Sequence, residues 1–141
     1  MWVYKEKEIH SHDDLLPECT NIVYCIYYES GKRYVGKKSV RAKRRLNPTK
    51  AQLAIRKNYK RVELKDQHFV DYVGSSKETE GQVVSYKEIL YQTSTKKAAT
   101  YIEAGILFNE NAIFSDDYLN LNISGTFFDN DLNGLLDCEC V

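Results

Sequence analysis

The 141-residue sequence has no run of about 18 apolar residues and no basic, apolar, small-residue leader at its start. The first absence sets aside a membrane-spanning helix, the second a secretory signal, and together they give the expectation of a chain that works in the cytoplasm. Cys19, Cys25, Cys138 and Cys140 include no C-x-x-C pair, and none of the three histidines lies at ligand spacing from them. Free thiols are therefore expected, with a zinc site as the alternative. Two further absences are local. No Asp or Glu occurs between Lys32 and Arg61, and no Lys or Arg occurs after Lys97.

What is present fits one folded domain. Hydrophobic residues make up 43% and charged residues 28%, inside the ordinary globular range and unlike disordered or collagenous chains. The formal net charge of zero conceals a sharp asymmetry, because the acid-free stretch from Lys32 to Arg61 carries 13 cations whereas 8 acids follow Lys97. Polyanion binding depends on local clustering of cations, so Lys37, Lys38, Arg41, Lys43, Arg45, Arg56, Lys57, Lys60 and Arg61 form a candidate phosphate-tracking surface. The 11 tyrosines are mostly amphipathic packing at sheet surfaces, and they also supply phenols for phosphate contacts or base stacking.

Local patterning divides the chain into an N-terminal arm or short helix over 1–20, a main domain over 21–128 and an acidic tail over 129–141. Ile22 to Tyr28 is dense in β-branched and aromatic residues and reads as a strand, and Lys32 to Lys37 returns from it as a hairpin. A two-residue Ser-Gly loop would point Tyr24 and Tyr34 to opposite faces. A three-residue loop ending with Gly31 in the left-handed conformation pairs Tyr28 with Lys32 and puts both tyrosines on one face, Tyr24 opposite Gly36. The second register is preferred, because it needs a glycine last in the loop.

Val40 to Leu46 could begin a helix that Pro48 interrupts, with a fresh helix capped at Thr49 and running to about Lys57. Phe69 to Ser76 reads as an extended stretch ending in a turn. Val83 to Thr93 reads as a third strand, followed by a helix capped at Ser94 or Thr95 and running to Asn109. Tyr118 to Phe128 has strand-like composition. The expected fold is α+β: a small three-stranded antiparallel sheet (22–28, 33–38 and 83–92) flanked by helices.

Ile22-Val23-Tyr24, ten residues before Tyr34-Val35-Gly36, resembles the paired half-motifs of the GIY-YIG nucleases. Arg44 stands ten residues after Tyr34, Glu103 lies on the helix after the third strand, and Tyr118-Leu119-Asn120 with Asn122-Ile123 resembles the late asparagine motif. The Lys37-Lys38 pair, the basic insertion and Asp71-Tyr72-Val73-Gly74-Ser75-Ser76 are similar to the phage branch, free-standing homing endonucleases among them.

The resemblance implies a metal-dependent DNA endonuclease that hydrolyses phosphodiester bonds. In it Glu103 would hold a single Mg²⁺, with Mn²⁺ as the alternative, and Arg44 would stabilise the pentacovalent phosphate, Arg41 or Arg45 replacing it if the register slips. Tyr24 would position or deprotonate the attacking water, its phenol pKa lowered by nearby cations, and Tyr34 would bind a water or phosphate oxygen. Asn120 and Asn122 would join the basic residues in contacting DNA. Two departures stand out: asparagine replaces the first glycine, at Asn21 or through a shifted frame, and no histidine occupies the helper position, which leaves Lys57, His68 from the inserted segment, or reduced activity.

The competing readings are a non-catalytic nucleic-acid-binding module and, third, an interaction protein pairing the acidic tail with another copy's basic block. No membrane partner is implied, and nothing specifies an oligomeric state. Convergence discriminates: an enzyme requires Tyr24, Tyr34, Arg44 and Glu103 around one cleft, and a binder requires only an open basic surface.

Overall fold

A computed structural model describes residues 1–123 together with Gly125 and Leu136. The acidic tail apart from Leu136, and the strand-like 118–128 stretch beyond Ile123 apart from Gly125, lie outside the described residues, as do Cys138 and Cys140.

The strands are β1 (Trp2–Tyr4), β2 (Lys7–Ile9), β3 (Asn21–Tyr28), β4 (Arg33–Ser39), β5 (Arg41–Leu46), β6 (Arg61–Asp66) and β7 (Val84–Thr93). The helices are α1 (Lys50–Ile55) and α2 (Lys96–Asn109). The main sheet has five strands in the order β2-β1-β7-β3-β4, not three, and it is mixed, because β1 runs parallel to β7 with Val3 beside Glu88. The stretch read as an N-terminal arm supplies the two extra strands. Lys5 and Glu6 both have positive φ, 48° and 68°, and so form the tight turn of a hairpin where Asn-Gly would ordinarily signal one. No helix among the described residues is long and apolar enough to cross a membrane.

β3 is buried on both faces because the sheet is covered on both, and its alternation sorts the core into two clusters. Ile22, Tyr24 and Ile26 pack with Trp2, Ile9 and Phe69 on one face. Val23 and Cys25 pack with Val35, Ala99, Ile102 and Leu107 beneath α2 on the other. Cys19 and Cys25 are free and buried, and burial pushes each thiol up to about 11.

The segment expected to start a helix at Val40 is instead strand β5, paired with β6 from Arg41↔Asp66 to Leu46↔Arg61 in a sheet of its own. Lys, Arg, Ala and Leu favour helix locally, but Pro48 truncates any helix here and the cross-strand partner overrides the remaining preference. The fresh start at Thr49 does occur: its hydroxyl and the Gln52 side chain form a capping box at the head of α1.

Candidate active site

The β3–β4 hairpin adopts the three-residue loop. Gly31 has φ +86°, its N–H donates to the Tyr28 carbonyl at 3.0 Å, and the Tyr28 N–H donates to the Lys32 carbonyl at 2.9 Å. Tyr24 thus faces Gly36 and Ile26 faces Tyr34, so both tyrosines lie on the same face of the sheet. Tyr24 is buried, its ring 5.3 Å from that of Trp2 and 5.9 Å from that of Tyr72 in an edge-on contact.

Tyr72 comes from the loop after Phe69, and buried groups hold that loop down. The Trp2 indole donates to the Phe69 carbonyl at 2.9 Å. The buried Lys87 ammonium donates to the Val70 and Tyr72 carbonyls at 2.8 and 2.9 Å and sits 4.4 Å from the Trp2 ring centroid. Gly74, with φ +96°, turns the chain so that Ser75 and Ser76 follow Tyr72 to the sheet edge.

The remaining wall comes from the opposite face. Thr95 caps α2 by accepting from the Ala98 N–H at 3.1 Å, and Ala99 and Ile102 seat the helix over Val23 and Val35. Lys37, opposite Val23, points to this face and lies 3.4 Å from the Glu103 carboxylate. The two faces meet round edge strand β4. Residues 117–120 cover the first part of that edge: Arg33 exchanges backbone bonds with Asp117 and Leu119, and both ends of the Asn120 amide bond the Val35 backbone. The cover stops one residue short of Gly36, where a cavity of about 210 Å³ opens, lined by Tyr24, Tyr34, Gly36, Lys37, Tyr72, Ser75, Ser76 and Glu103.

Burial raises the phenol pKa of Tyr24 far above its ordinary value, with Tyr72 and Tyr34 adding to the rise, and burial likewise raises that of Tyr34. This corrects the expectation that nearby cations lower it. Tyr24 is a neutral phenol, able to donate to and orient an oxygen but poorly suited to act as a phenolate base. Burial also raises the Glu103 pKa, while Lys37 draws it down.

No group of three or more His, Cys, Asp or Glu side chains stands together among the described residues. The donors here are nonetheless compatible with Mg²⁺. Glu103 is a lone, partly buried carboxylate at a cavity with room for several waters and with phenol and serine oxygens around it, and Mg²⁺ keeps its waters and takes few protein ligands.

Of the four residues expected to converge, the fold brings together Tyr24, Tyr34 and Glu103. Arg44 stands apart on β5, its guanidinium 3.6 Å from Glu63. Arg41 is committed to structure, donating to the carbonyls of His12, Leu16, Pro17 and Cys19 at 2.7 to 3.3 Å. Asn120, placed above among the DNA contacts, is buried and spent on Val35, whereas Asn122 is exposed. Neither helper candidate lines the cavity: Lys57 is exposed beyond α1, and His68 lies 3.5 Å from Asp71. Lys38 sits over the Tyr72 ring, 4.9 Å from its centroid. Lys43, Arg45, Arg56, Lys60 and Arg61 are exposed. A larger groove of about 600 Å³ shares Lys37 with the site and is lined by Lys38, Arg41, Lys43 and Lys96, with no acid.

Tyr72 and the cavity role of Lys37 were not assigned from sequence. The motif around Tyr72 was visible, but its contact with Tyr24 depends on Lys87 and Trp2, remote in the chain.

Residues 2–123 match the model of a family described as "Putative endonuclease segE, GIY-YIG domain". No curated protein and no solved structure matches the chain.

Proposed function

The chain belongs to the GIY-YIG endonuclease domain family, and from that premise we propose that it is a divalent-metal-dependent DNA endonuclease of the phage, homing-endonuclease-like type, acting in the cytoplasm. The observation that carries the reading is convergence. Tyr24, Tyr34 and Glu103, singled out by order and spacing, line one cavity that a basic, acid-free groove approaches through Lys37.

Hydrolysis requires an oriented water, neutralised phosphate charge and a stabilised leaving oxygen. Neutral Tyr24 and Tyr34 orient oxygens at the cavity wall, Tyr24 held rigid by its ring contacts with Trp2 and Tyr72. Glu103 is the residue that would hold Mg²⁺ or Mn²⁺, and a bound ion supplies Lewis-acid charge at the phosphate. Since Arg44 lies outside the cavity, Lys37 is assigned as the cation that neutralises the phosphate there. Lys38 and Lys96 lead the DNA strand in along the groove.

The test is incubation with supercoiled plasmid in Mg²⁺ or Mn²⁺, with and without chelator, beside Glu103→Gln. The wild type is expected to nick only with metal. Glu103→Gln should bind DNA as before and lose cleavage by about a hundredfold or more, the loss typical of one electrostatic group. A wild type that binds DNA and cuts nothing with either metal would make the chain a non-catalytic binding module. Equal cleavage by Glu103→Gln would move the metal site to another carboxylate, Glu88 and Glu110 being the next to examine.

A further inference from the structure

The excursion β5–α1–β6 leaves the main sheet and, among the described residues, its strands pair only with each other, and every residue of β6 is exposed. From Arg41 to Asp66 it carries 10 Lys and Arg against Glu63 and Asp66 alone. An isolated two-stranded ribbon is marginal in water, yet this one is fastened firmly at its root. Besides the carbonyls it holds, Arg41 lies 3.3 Å from the Asp66 carboxylate, and the His12 ring nitrogen lies 3.0 and 2.8 Å from the carbonyls of Val40 and Gln67. The ribbon is thus fixed in direction relative to the cavity and open along its length.

Its two faces differ. Arg44 lies opposite Glu63 and is paired with it. On the other face Lys43 lies opposite Leu64 and Arg45 opposite Val62, so the cross-strand neighbours of these cations are apolar, not acidic. Val62 and Leu64 are 53% and 39% exposed, so this face offers apolar side chains beside its cations. Arg41, Ala42 and Lys43 line the acid-free groove, so the root of the ribbon adjoins the approach to the candidate site and Lys43 is the first cation of this face beyond it.

We propose that this ribbon is the DNA-recognition element of the chain, its Lys43, Arg45, Val62 and Leu64 face entering the major groove of a duplex whose backbone lies in the cleavage cavity; the second clause rests on the nuclease reading above. Strands about 4.8 Å apart, with their side chains, fit a major groove about 12 Å wide and not a minor groove about 6 Å wide. Each six-residue strand reaches about 20 Å, enough to lie along the groove. Cationic side chains donate to guanine O6 and N7, and exposed aliphatic ones contact thymine methyls. Arg56 and Lys60, toward the tip, meet the flanking phosphates.

The experiment is selection of bound sequences from a randomised duplex pool in chelator, followed by affinity measurements across salt, for the wild type, Lys43→Gln, Arg45→Gln and the double variant Arg56→Gln/Lys60→Gln. The wild type should enrich a motif. Arg45→Gln and Lys43→Gln should each lose discrimination at one or two positions, by roughly 5- to 150-fold, with little change in salt slope. The double variant should keep the motif and flatten the slope by about one unit per lost contact. Replacing guanine by 7-deazaguanine, which removes only a major-groove acceptor, should weaken wild-type binding and erase its advantage over Arg45→Gln. No enriched motif, an unchanged motif in both single variants, or indifference to 7-deazaguanine overturns the proposal. No cleavage is read in these measurements. Ribbon-dependent selection by a chain that never cuts would sustain this inference and sink the nuclease, and cutting without such selection would do the reverse.

Discussion

Tyr24 lies directly across the β3–β4 ladder from Gly36, and a Cβ at Gly36 would stand 2.5 Å from the Tyr24 hydroxyl and 2.7 Å from the ring carbon that bears it. The glycine is required by that phenol, not by its own backbone angle.

Gly36→Ala should therefore force the Tyr24 ring out of place. Because Tyr24 is packed between Trp2 and Tyr72, it cannot swing aside freely. Overpacking of this kind costs about 1–3 kcal/mol, and displacement of a positioning group by about 1 Å can cost on the order of a hundredfold in rate. A melting curve and a plasmid-nicking time course on the same preparation check both, and normal nicking by Gly36→Ala would remove Tyr24 from the chemistry.

Lys37→Ala should cost more cleavage than Arg44→Ala. Lys37 lines the cavity beside Glu103, while Arg44 lies on the ribbon beside Glu63. The expected loss is about a hundredfold for Lys37 in single-turnover cleavage at saturating DNA, and only a few-fold for Arg44. The opposite order would return Arg44 to the role that the family resemblance implies.

Lys87→Met should loosen the loop that carries Tyr72, Ser75 and Ser76, because it strips the donor from two carbonyls. Leaving such partly buried acceptors unpaired costs about 1 kcal/mol or somewhat more. A lowered melting temperature together with a fall in kcat at unchanged DNA affinity is expected. An unchanged melting temperature would show that the loop is held by other contacts.

Stability should fall as pH rises past about 10, the ordinary phenol value. Burial raises the pKa of Tyr24, Tyr27 and Tyr34 in the folded chain. The unfolded chain therefore loses these protons first, so the stabilisation is complete below about 10 and is lost progressively above it. Melting temperature against pH, with Tyr24→Phe as the comparison, reads this directly. A wild-type curve no steeper than that of the variant would contradict the assignment.

The hairpin was legible in detail because its determinants are local: alternation in 22–28, and a glycine at the one loop position that needs positive φ. Helix α2 was legible for the same reason, from the Thr95 cap and the apolar face of Ala99 and Ile102. β1 and β2 were missed because three residues each, joined through Lys5 and Glu6, carry too little pattern to announce a strand. β5 was missed because its composition favours helix and only its partner strand, about 15 to 25 positions further along the chain from Leu46↔Arg61 to Arg41↔Asp66, makes it a strand.

By itself the sequence determined which residue types recur at which spacing, and so the family, the hairpin register and three of the residues at the candidate site. Tertiary structure decided which surfaces meet. It joined the two faces of the sheet round the β4 edge at Gly36, brought Tyr72 and Lys37 to Glu103, and sent Arg44 out along a separate ribbon. It also sets the direction in which the Tyr24 phenol is shifted, upward, since a phenol's proton affinity follows from burial and neighbours, and those exist only once distant segments have packed.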